Sequence, residues 1–195
     1  MSLNVRFHRP HPYLLAGLLL LPLTALVELS MHRLPISKSH RIELWASVDS
    51  PELSQQIADA YSFSHIIHGL AFYLLFRLIT LRHGKFSLPL CFFLAMLTEC
   101  SWEILENTPM IIERYRRSAL AAGYFGDTIL NSLCDILFAA LGFLLAAKIP
   151  TWASIALFLI IELTLAATIR DNLTLNIINL IHPFQFIQHW QTHQA

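Results

Sequence analysis

An acidic stripe runs along the apolar stretch LTECSWEILEN, which begins at residue 97. Its three carboxylates are those of Glu99, Glu103 and Glu106. On a helix with about 100° per residue, these positions fall within roughly 60° of one another and share one face. Several carboxylates on one face can bind a metal ion or exchange protons with a ligand. This stripe is therefore the first candidate for a site.

A second polar stripe follows in the next apolar helix, where Asp127, Asn131 and Asp135 recur every four residues. This spacing keeps the three side chains on one slowly drifting face of a helix. Since a turn joins the two helices, we expect them to run antiparallel with their stripes side by side. Glu99 and Asp135 should then lie at similar depth, roughly 12 Å below a shared mouth.

Two histidines, His65 and His68, open an earlier apolar helix in the sequence SHIIHG. Residues three apart project from nearly the same face of a helix, one turn apart. This spacing suits a metal or proton site, and hydrogen bonds from the imidazoles to neighbouring helices are the alternative. The candidate ligands of a divalent metal ion are His65, His68, Glu103 and Asp127. The candidate catalytic residues are His65, Glu103 and Asp127.

An arginine-rich turn, TPMIIERYRRSALAAGYFG, joins the two striped helices. Its guanidinium groups belong to Arg114, Arg116 and Arg117, and Tyr115 lies between them. Guanidinium groups over an acidic mouth can pair with the carboxylates or bind the phosphate of a lipid head group. A solvated, positively charged loop is the alternative.

The composition is that of an integral membrane protein. Hydrophobic residues make up 55% of the 195 residues and charged residues only 13%, and the mean hydropathy is +0.55. A charged group at the centre of a membrane helix costs about 2.5–3.5 kcal/mol, so acids in such helices usually have a function. The net charge of zero gives no basic excess, and we expect no nucleic-acid partner. Three cysteines without CxxC spacing argue against a disulfide framework or a zinc ribbon.

The pattern predicts an all-α fold, a polytopic bundle of membrane helices with short interfacial helices, in a single membrane domain that covers 1–195. Outside the crossings, we expect an outer loop at 31–62 with a short surface helix starting near Ser50. The arginine-rich outer turn covers 108–126, and an interfacial tail covers 171–195. Five runs are long enough to cross a bilayer, namely 13–29, 63–81, 88–107, 127–147 and 152–169.

The polar residues at the helix ends collect on one side of the membrane, opposite the N-terminus. Arg6 and Arg9 precede the first helix and favour a cytoplasmic N-terminus, which puts the polar mouth outside. The loops as a whole carry more Lys and Arg on the outer side, which favours the opposite orientation. Most of those outer arginines belong to the candidate site, so we prefer the first orientation, in a bacterial inner membrane.

Several sequence segments resemble a family of uncharacterised bacterial inner-membrane proteins. They are YSFSHIIHGLAFY, WEILENTPMIIERY, GDTILNSLCD and IRDNLTLNIINLIHP, and the resemblance covers about 43–190. The resemblance implies no biochemical function. The chain departs from the pattern of closer relatives at ISKSH, where they carry cysteines, and at SQQ, where they carry SQH. Ser37, Ser39 and Gln56 therefore argue against a metal or redox role for this loop.

A more distant resemblance is to the VanZ-like superfamily. It rests on the order of a histidine-bearing helix, a glutamate-rich helix and a helix with Asp, Asn and Asp at intervals of four. The teicoplanin-resistance member of that superfamily implies a cell-envelope setting.

Three functions fit these residues. The first is a pocket, open on the side opposite the N-terminus, that binds an anionic membrane lipid or a lipid-linked cell-envelope precursor. The second is a metal-dependent hydrolase or transferase that acts on a lipid-linked phosphate or acyl substrate. The third is a structural scaffold of a membrane complex, in which the polar stripes hold helices together. The predicted binding residues are His65, His68, Glu99, Glu103, Glu106, Asn107, Arg114, Arg116, Asp127, Asn131, Asp135, Arg170, Asp171 and Asn172.

Overall fold

The computed structural model describes residues 11–84, 86–117, 120–121 and 123–192. This part of the chain forms eight α-helices and no strand, which confirms the predicted all-α fold class. Arg6 and Arg9, on which the expected orientation rests, lie outside the described residues. The helices are α1 Pro12–Ser30, α2 Ser62–His83, α3 Leu88–Glu106, α4 Pro109–Tyr115, α5 Ile129–Lys148, α6 Thr151–Ile169, α7 Leu173–Ile181 and α8 Gln185–Thr192.

Five of these helices, α1, α2, α3, α5 and α6, are long and apolar enough to cross a membrane. The chain is therefore a multi-pass membrane protein with five candidate crossings. The other three helices have 7, 9 and 8 residues. At about 1.5 Å per residue, they are too short to span a hydrocarbon layer of about 30 Å.

The fourth crossing begins later than the sequence suggests. The sequence places Asp127 at the N-cap or in the first turn, but α5 begins at Ile129 and Thr128 is its N-cap. The Thr128 hydroxyl accepts a hydrogen bond from the backbone N–H of Asn131. Asp and Thr are both good N-cap residues, so a tertiary contact determines which of the two caps α5. The N–H of Asp127 donates to Asn107 Oδ1 at 2.8 Å, which holds Asp127 ahead of the helix.

The predicted surface helix near Ser50 does not form, and 50–57 adopt turns and bends. Ser54 has a φ of 59°, in the left-handed region, which interrupts a right-handed helix. Its N–H donates to Asp59 Oδ2 at 2.9 Å, and its carbonyl accepts a hydrogen bond from the N–H of Thr128 at 3.2 Å. The loop thus satisfies a free backbone donor at the N-terminus of α5.

Helices α2 and α5 are in direct backbone contact at two glycines. A Cβ atom added to Gly69 would lie 1.9 Å from the carbonyl oxygen of Ala139. One added to Gly142 would lie 2.1 Å from the carbonyl oxygen of Ile66. Small residues allow membrane helices to approach this closely. The close contact brings His65 of α2 beside Asp135 of α5.

The tail helix α7 is fixed to α6 by a side chain seven residues before the end of α6. The carboxylate of Glu162 accepts hydrogen bonds from the N–H groups of Leu173 at 3.0 Å and Thr174 at 3.1 Å. Asn172 caps the same helix, since its Oδ1 accepts from the N–H of Leu175 at 2.8 Å. A carboxylate at the N-terminus of a helix also interacts favourably with the helix dipole.

Candidate functional site

A buried carboxylate, that of Glu99, bridges the two histidines of α2. Its Oε1 lies 2.6 Å from His65 Nδ1, and its two oxygens lie 3.1 and 3.0 Å from His68 Nδ1. Helix α2 holds the imidazoles one turn apart, with ring centroids separated by 5.0 Å. Glu99 is 0% exposed, so its charge depends on these two partners rather than on water.

Two further carboxylates approach His65, and each has an oxygen without a hydrogen bond. Glu103 Oε1 lies 3.3 Å from His65 Nδ1, and Asp135 Oδ2 lies 3.8 Å from His65 Nε2. Glu103 Oε1 and Asp135 Oδ1 are buried and make no hydrogen bond. Since Glu99 and Asp135 both approach the same imidazole, they lie at similar depth, in agreement with the expected antiparallel register. Unpartnered buried oxygens are unusual and require an explanation.

The mouth of the bundle is organised around Asp127. Its carboxylate accepts hydrogen bonds from the Tyr124 hydroxyl at 3.0 and 3.1 Å and from Asn107 Nδ2 at 3.2 Å. Arg33 donates to the backbone carbonyl of Asp127 at 2.8 and 3.0 Å, and to that of Phe125. Burial raises the pKa of Asp127 to about 6, although the hydrogen bond from Tyr124 acts in the opposite direction.

Asp59 belongs to this region, and the sequence pattern did not identify it. Its carboxylate is buried and accepts hydrogen bonds from the N–H groups of Ser54 at 2.9 Å and Tyr61 at 2.7 Å. Burial raises its pKa, and these backbone hydrogen bonds lower it in part. In the sequence, Asp59 is a single acid six residues before His65. It lies in a loop, where no periodic pattern indicates which side chains face a site.

A cavity of about 860 Å³ extends from the histidines to the mouth. His65, His68 and Asp135 line its polar end, whereas Glu99 and Glu103 lie buried behind that end. Trp102 lies beside His68, and the remainder of the lining combines apolar side chains with further acids, among them Glu106 and Asp127. Among the described residues that line the cavity, the ionisable groups are acids, histidines and tyrosines, and none is Lys or Arg.

Arg114 and Arg116, which the sequence places over the acids, donate to backbone carbonyls instead. Arg114 donates to the backbone carbonyls of Leu180, at 2.6 Å, and Ile181 at the C-terminal end of α7. Arg116 donates to the backbone carbonyl of Tyr124. Neither arginine lines the cavity. The C-terminal carbonyls of a helix lack partners and carry partial negative charge, so they compete effectively with the acids for a guanidinium group.

Three predicted site residues instead form the joint between α6 and the tail, namely Arg170, Asp171 and Asn172. Asp171 accepts hydrogen bonds from the Tyr61 hydroxyl at 3.0 Å and from Gln191 Nε2 at 3.2 Å. Arg170 donates to the carbonyl of Trp190 at 3.0 Å. None of the three lines the cavity. Asn131 does not line it either, and its side chain donates to the carbonyl of Gln56 at 2.9 Å.

The loop residues Ser37, Ser39 and Gln56 meet around Glu52. The hydroxyl of Ser37 and Nε2 of Gln56 both donate to Glu52 Oε2, and the two serine hydroxyls lie 3.2 Å apart. These hydrogen bonds, above all that of Ser37, lower the pKa of Glu52. Hydroxyl and amide groups are weak ligands for a transition metal, so this cluster is a poor metal site.

Two groups of side chains have the geometry of metal ligands. The first group comprises His65, His68 and Glu99, and the second comprises His65, Glu103 and Glu106. Within each group, the ligand atoms lie within 4.8 Å of one another. Of the four ligands predicted from the sequence, these groups contain His65, His68 and Glu103 but not Asp127. Glu99 completes the histidine pair, and Asp127 belongs to the mouth, where Tyr124 and Asn107 engage its carboxylate.

The profile of the family described as a protein of unknown function (DUF2585) matches residues 28–193. The chain belongs to this family. Its DUF2585 region includes every residue of the histidine and carboxylate cluster described above. No solved structure matches the chain.

Relatives of the chain are bacterial proteins named UPF0314. The chain is 46% identical to the UPF0314 protein of Agrobacterium fabrum over 177 residues, which cover 90% of this chain and 87% of the relative. It is 46% identical to that of Sphingopyxis alaskensis, over 88% of this chain and 90% of the relative. It is 41% identical to that of Paracoccus denitrificans, over 98% of both chains.

Proposed function

We propose that the cavity binds a membrane lipid or a lipid-linked cell-envelope precursor. One observation carries this proposal, and we interpret it as a lateral opening of the cavity between α2 and α3. Ala71 of α2 and Thr98 of α3 both line the cavity and are exposed. A hydrocarbon chain could therefore pass from the bilayer into the cavity without crossing the polar mouth.

The depth of this opening suits an acyl or prenyl chain. Ala71 lies nine residues after the start of α2, and Thr98 lies eight residues before the end of α3. At about 1.5 Å per residue, both positions are roughly 12–14 Å along the helix from the end at the mouth, a depth that we expect to lie within the hydrocarbon layer. Phe72 and Trp102 line the cavity beside them and offer apolar surface. Cavities that bind small molecules are typically apolar with a few polar groups at one end.

The polar end of the cavity determines which head groups fit. Carboxylates and imidazoles can accept hydrogen bonds from hydroxyl or amine groups of a ligand. An anionic head group, which the arginine-rich sequence favoured, needs a bound cation here, because no Lys or Arg is among the described lining residues. Without one, a phosphate would meet only acids.

Native mass spectrometry of protein extracted in mild detergent tests this proposal. Thr98→Trp would place a large ring in the opening between α2 and α3. Ser101→Trp is a matched control, since Ser101 is also exposed on α3 but does not line the cavity. Both hydroxyls donate to the carbonyl four residues earlier, so the two substitutions remove equivalent hydrogen bonds.

We expect a defined lipid to accompany the wild type and Ser101→Trp, and to be lost from Thr98→Trp. Both variants should elute as single species with similar thermal unfolding midpoints. If Thr98→Trp retains the same lipid in the same amount, or the wild type retains none, the proposal is wrong.

A second candidate function is hydrolysis or group transfer on a lipid-linked phosphate or acyl substrate. The observation in its favour is the pair of histidines held by Glu99, because a carboxylate on Nδ1 fixes the orientation of an imidazole. In vesicles, the protein would then release phosphate or fatty acid from an added lipid ester, and Asp135→Asn would slow this release. Absence of turnover with both ester classes would exclude this candidate.

A third candidate is a scaffold within a larger membrane complex. Several polar side chains do link separate segments, such as Asn131 with Gln56 and Asn107 with Asp127. A scaffold needs these contacts only for assembly. Glu103→Gln and Asp135→Asn should then change stability slightly and leave growth under envelope stress unchanged, and a growth defect with normal folding would exclude it.

The cellular setting belongs to this proposal as well. We infer a bacterial inner-membrane protein with a cytoplasmic N-terminus and the cavity mouth on the outer side, and a distant VanZ-like kinship would fit an envelope role. Labelling of intact cells with an impermeant maleimide tests the orientation, using single cysteines at Ser47 and at Arg82 in a cysteine-free background. Ser47 lies in the loop beside the mouth, and Arg82 lies near the opposite end of α2. Labelling only of the cysteine at position 82 would show that the protein has the opposite orientation in the membrane.

A further inference from the structure

We propose that His65, His68 and Glu99 bind one divalent first-row transition metal ion, such as zinc, iron(II) or manganese(II), at the deep end of the cavity. Both Nδ1 nitrogens contact the Glu99 carboxylate, and ligand atoms of the three residues lie within 4.8 Å of one another. Metal binding at these residues is independent of lipid binding, and the metal content of the purified protein measures it directly.

The geometry needs little adjustment. The Glu99 oxygens lie 2.6 Å from His65 Nδ1 and 3.0–3.1 Å from His68 Nδ1. Ligands on a tetrahedral ion with bonds of 2.0–2.1 Å are about 3.3 Å apart. A shift of a few tenths of an ångström to somewhat less than 1 Å therefore converts these contacts into coordination. The packing of Gly69 against the backbone of α5 holds this part of α2 in place.

A second observation points to the same ion. Glu103 is 1% exposed, and its Oε1 makes no hydrogen bond although it is directed at His65 Nδ1, 3.3 Å away. On the other side of that imidazole, Asp135 Oδ2 lies 3.8 Å from Nε2, and Asp135 Oδ1 makes no hydrogen bond. An unpartnered buried carboxylate oxygen is costly, and a nearby cation would stabilise it.

The charge of the region also favours a bound cation. Glu99, Glu103 and Asp135 are buried within contact distance of His65, whereas no Lys or Arg is among the described lining residues of the cavity. A divalent ion offsets two of these negative charges. Two imidazole ligands favour zinc, iron or manganese over magnesium or calcium, which prefer oxygen ligands throughout.

Metal content measured by mass spectrometry tests the inference. The full chain is purified in mild detergent without chelator, with an affinity tag that contains no histidine. The site variants are a His65→Ala, His68→Ala double variant and, as a milder change, Glu99→Gln. His182→Ala is the control, because this exposed histidine lies outside the cavity.

We expect about one transition metal ion per chain in the wild type and the control, and at least a tenfold lower content in the site variants. Chelator-treated wild type should recover its thermal unfolding midpoint on addition of zinc, iron(II) or manganese(II), but not of magnesium. This second measurement remains valid if the variants fail to fold. A wild type that contains no metal and shows no shift with any of these ions overturns the inference. Lipid retention is measured separately, so the experiments distinguish a failure of metal binding from a failure of lipid binding.

Discussion

Asn107 and Asp127 hold each other through two hydrogen bonds at the mouth of the bundle. The backbone N–H of Asp127 donates to Asn107 Oδ1 at 2.8 Å, and Asn107 Nδ2 donates to Asp127 Oδ2 at 3.2 Å. The pair joins the C-cap residue of α3 to the residue that precedes the N-cap of α5. Because Asn107 Nδ2 also lies 3.1 Å from the hydroxyl of Ser132, one amide side chain fixes the relative positions of both polar stripes.

Replacement of this amide should therefore destabilise the bundle. Asn107→Ala leaves the buried N–H of Asp127 without its acceptor, and we expect a loss of about 1–3 kcal/mol. Thermal unfolding in detergent, followed by intrinsic fluorescence, measures this loss. Ser101→Ala is the control, because that exposed side chain bonds only within its own helix. An unfolding midpoint for Asn107→Ala that equals the control would contradict the prediction.

The helical periodicity made much of this arrangement predictable. Acids that recur every three or four residues must share a helix face, so the meeting of Glu99 with the histidines of α2 follows once helices pack through their polar sides. Hydropathy alone predicted the five long apolar helices that are candidate crossings. The antiparallel register of α3 and α5 followed from the turn that joins them, and Asn107 beside Asp127 agrees with it.

The loops and the arginines were not predictable in this way. The sequence shows that Arg114 is near the acids, but not that the end of α7 lies closer. Asp59 approaches the site because Ser54 and Tyr61 fix the loop around it, and such contacts have no periodic signal. Asp127 is a good N-cap by type, yet a side chain from another helix keeps it outside α5.

The contact between α2 and α5 should not tolerate a side chain at Gly142. A Cβ atom there would lie 2.1 Å from the carbonyl oxygen of Ile66, and backbone cannot move aside as a side chain can. We expect Gly142→Val to abolish the recovery of monodisperse protein. Gly17→Ala is the control, since its added Cβ would lie 3.9 Å from the nearest side-chain atom. Normal recovery and stability of Gly142→Val would show that the two helices are farther apart.

Stability should fall as the pH rises through the range in which Asp171 ionises. Burial, together with the nearby Glu162, raises the pKa of Asp171 to about 6, whereas hydrogen bonds from Tyr61 and the backbone of Asn172 lower it. The folded state then holds its proton more tightly than the unfolded state. The stabilisation is present below about pH 4 and is lost as the pH rises to about 6, by about 3 kcal/mol.

The Asp171→Asn variant tests this relation. The wild type should unfold at a lower temperature at pH 7.5 than at pH 5, and the variant should show a smaller difference and a higher midpoint at pH 7.5. Asp127 and Asp59 have raised pKa values with the same sign, so part of the dependence should remain. Asp49→Asn is the control, because that acid is exposed. An unchanged pH dependence in Asp171→Asn would refute the assignment.

Arg114 should act on the tail helix rather than on a ligand. Its guanidinium group donates to the carbonyls of Leu180 and Ile181, and hydrogen bonds to a charged group contribute about 1.5–3 kcal/mol. Arg114→Ala should therefore accelerate amide hydrogen exchange in α7 at least tenfold and leave α5 unchanged. Arg117→Ala, at an exposed position, should leave α7 as in the wild type. Loss of a bound lipid with unaltered exchange in α7 would instead favour a direct role of Arg114 in head-group binding.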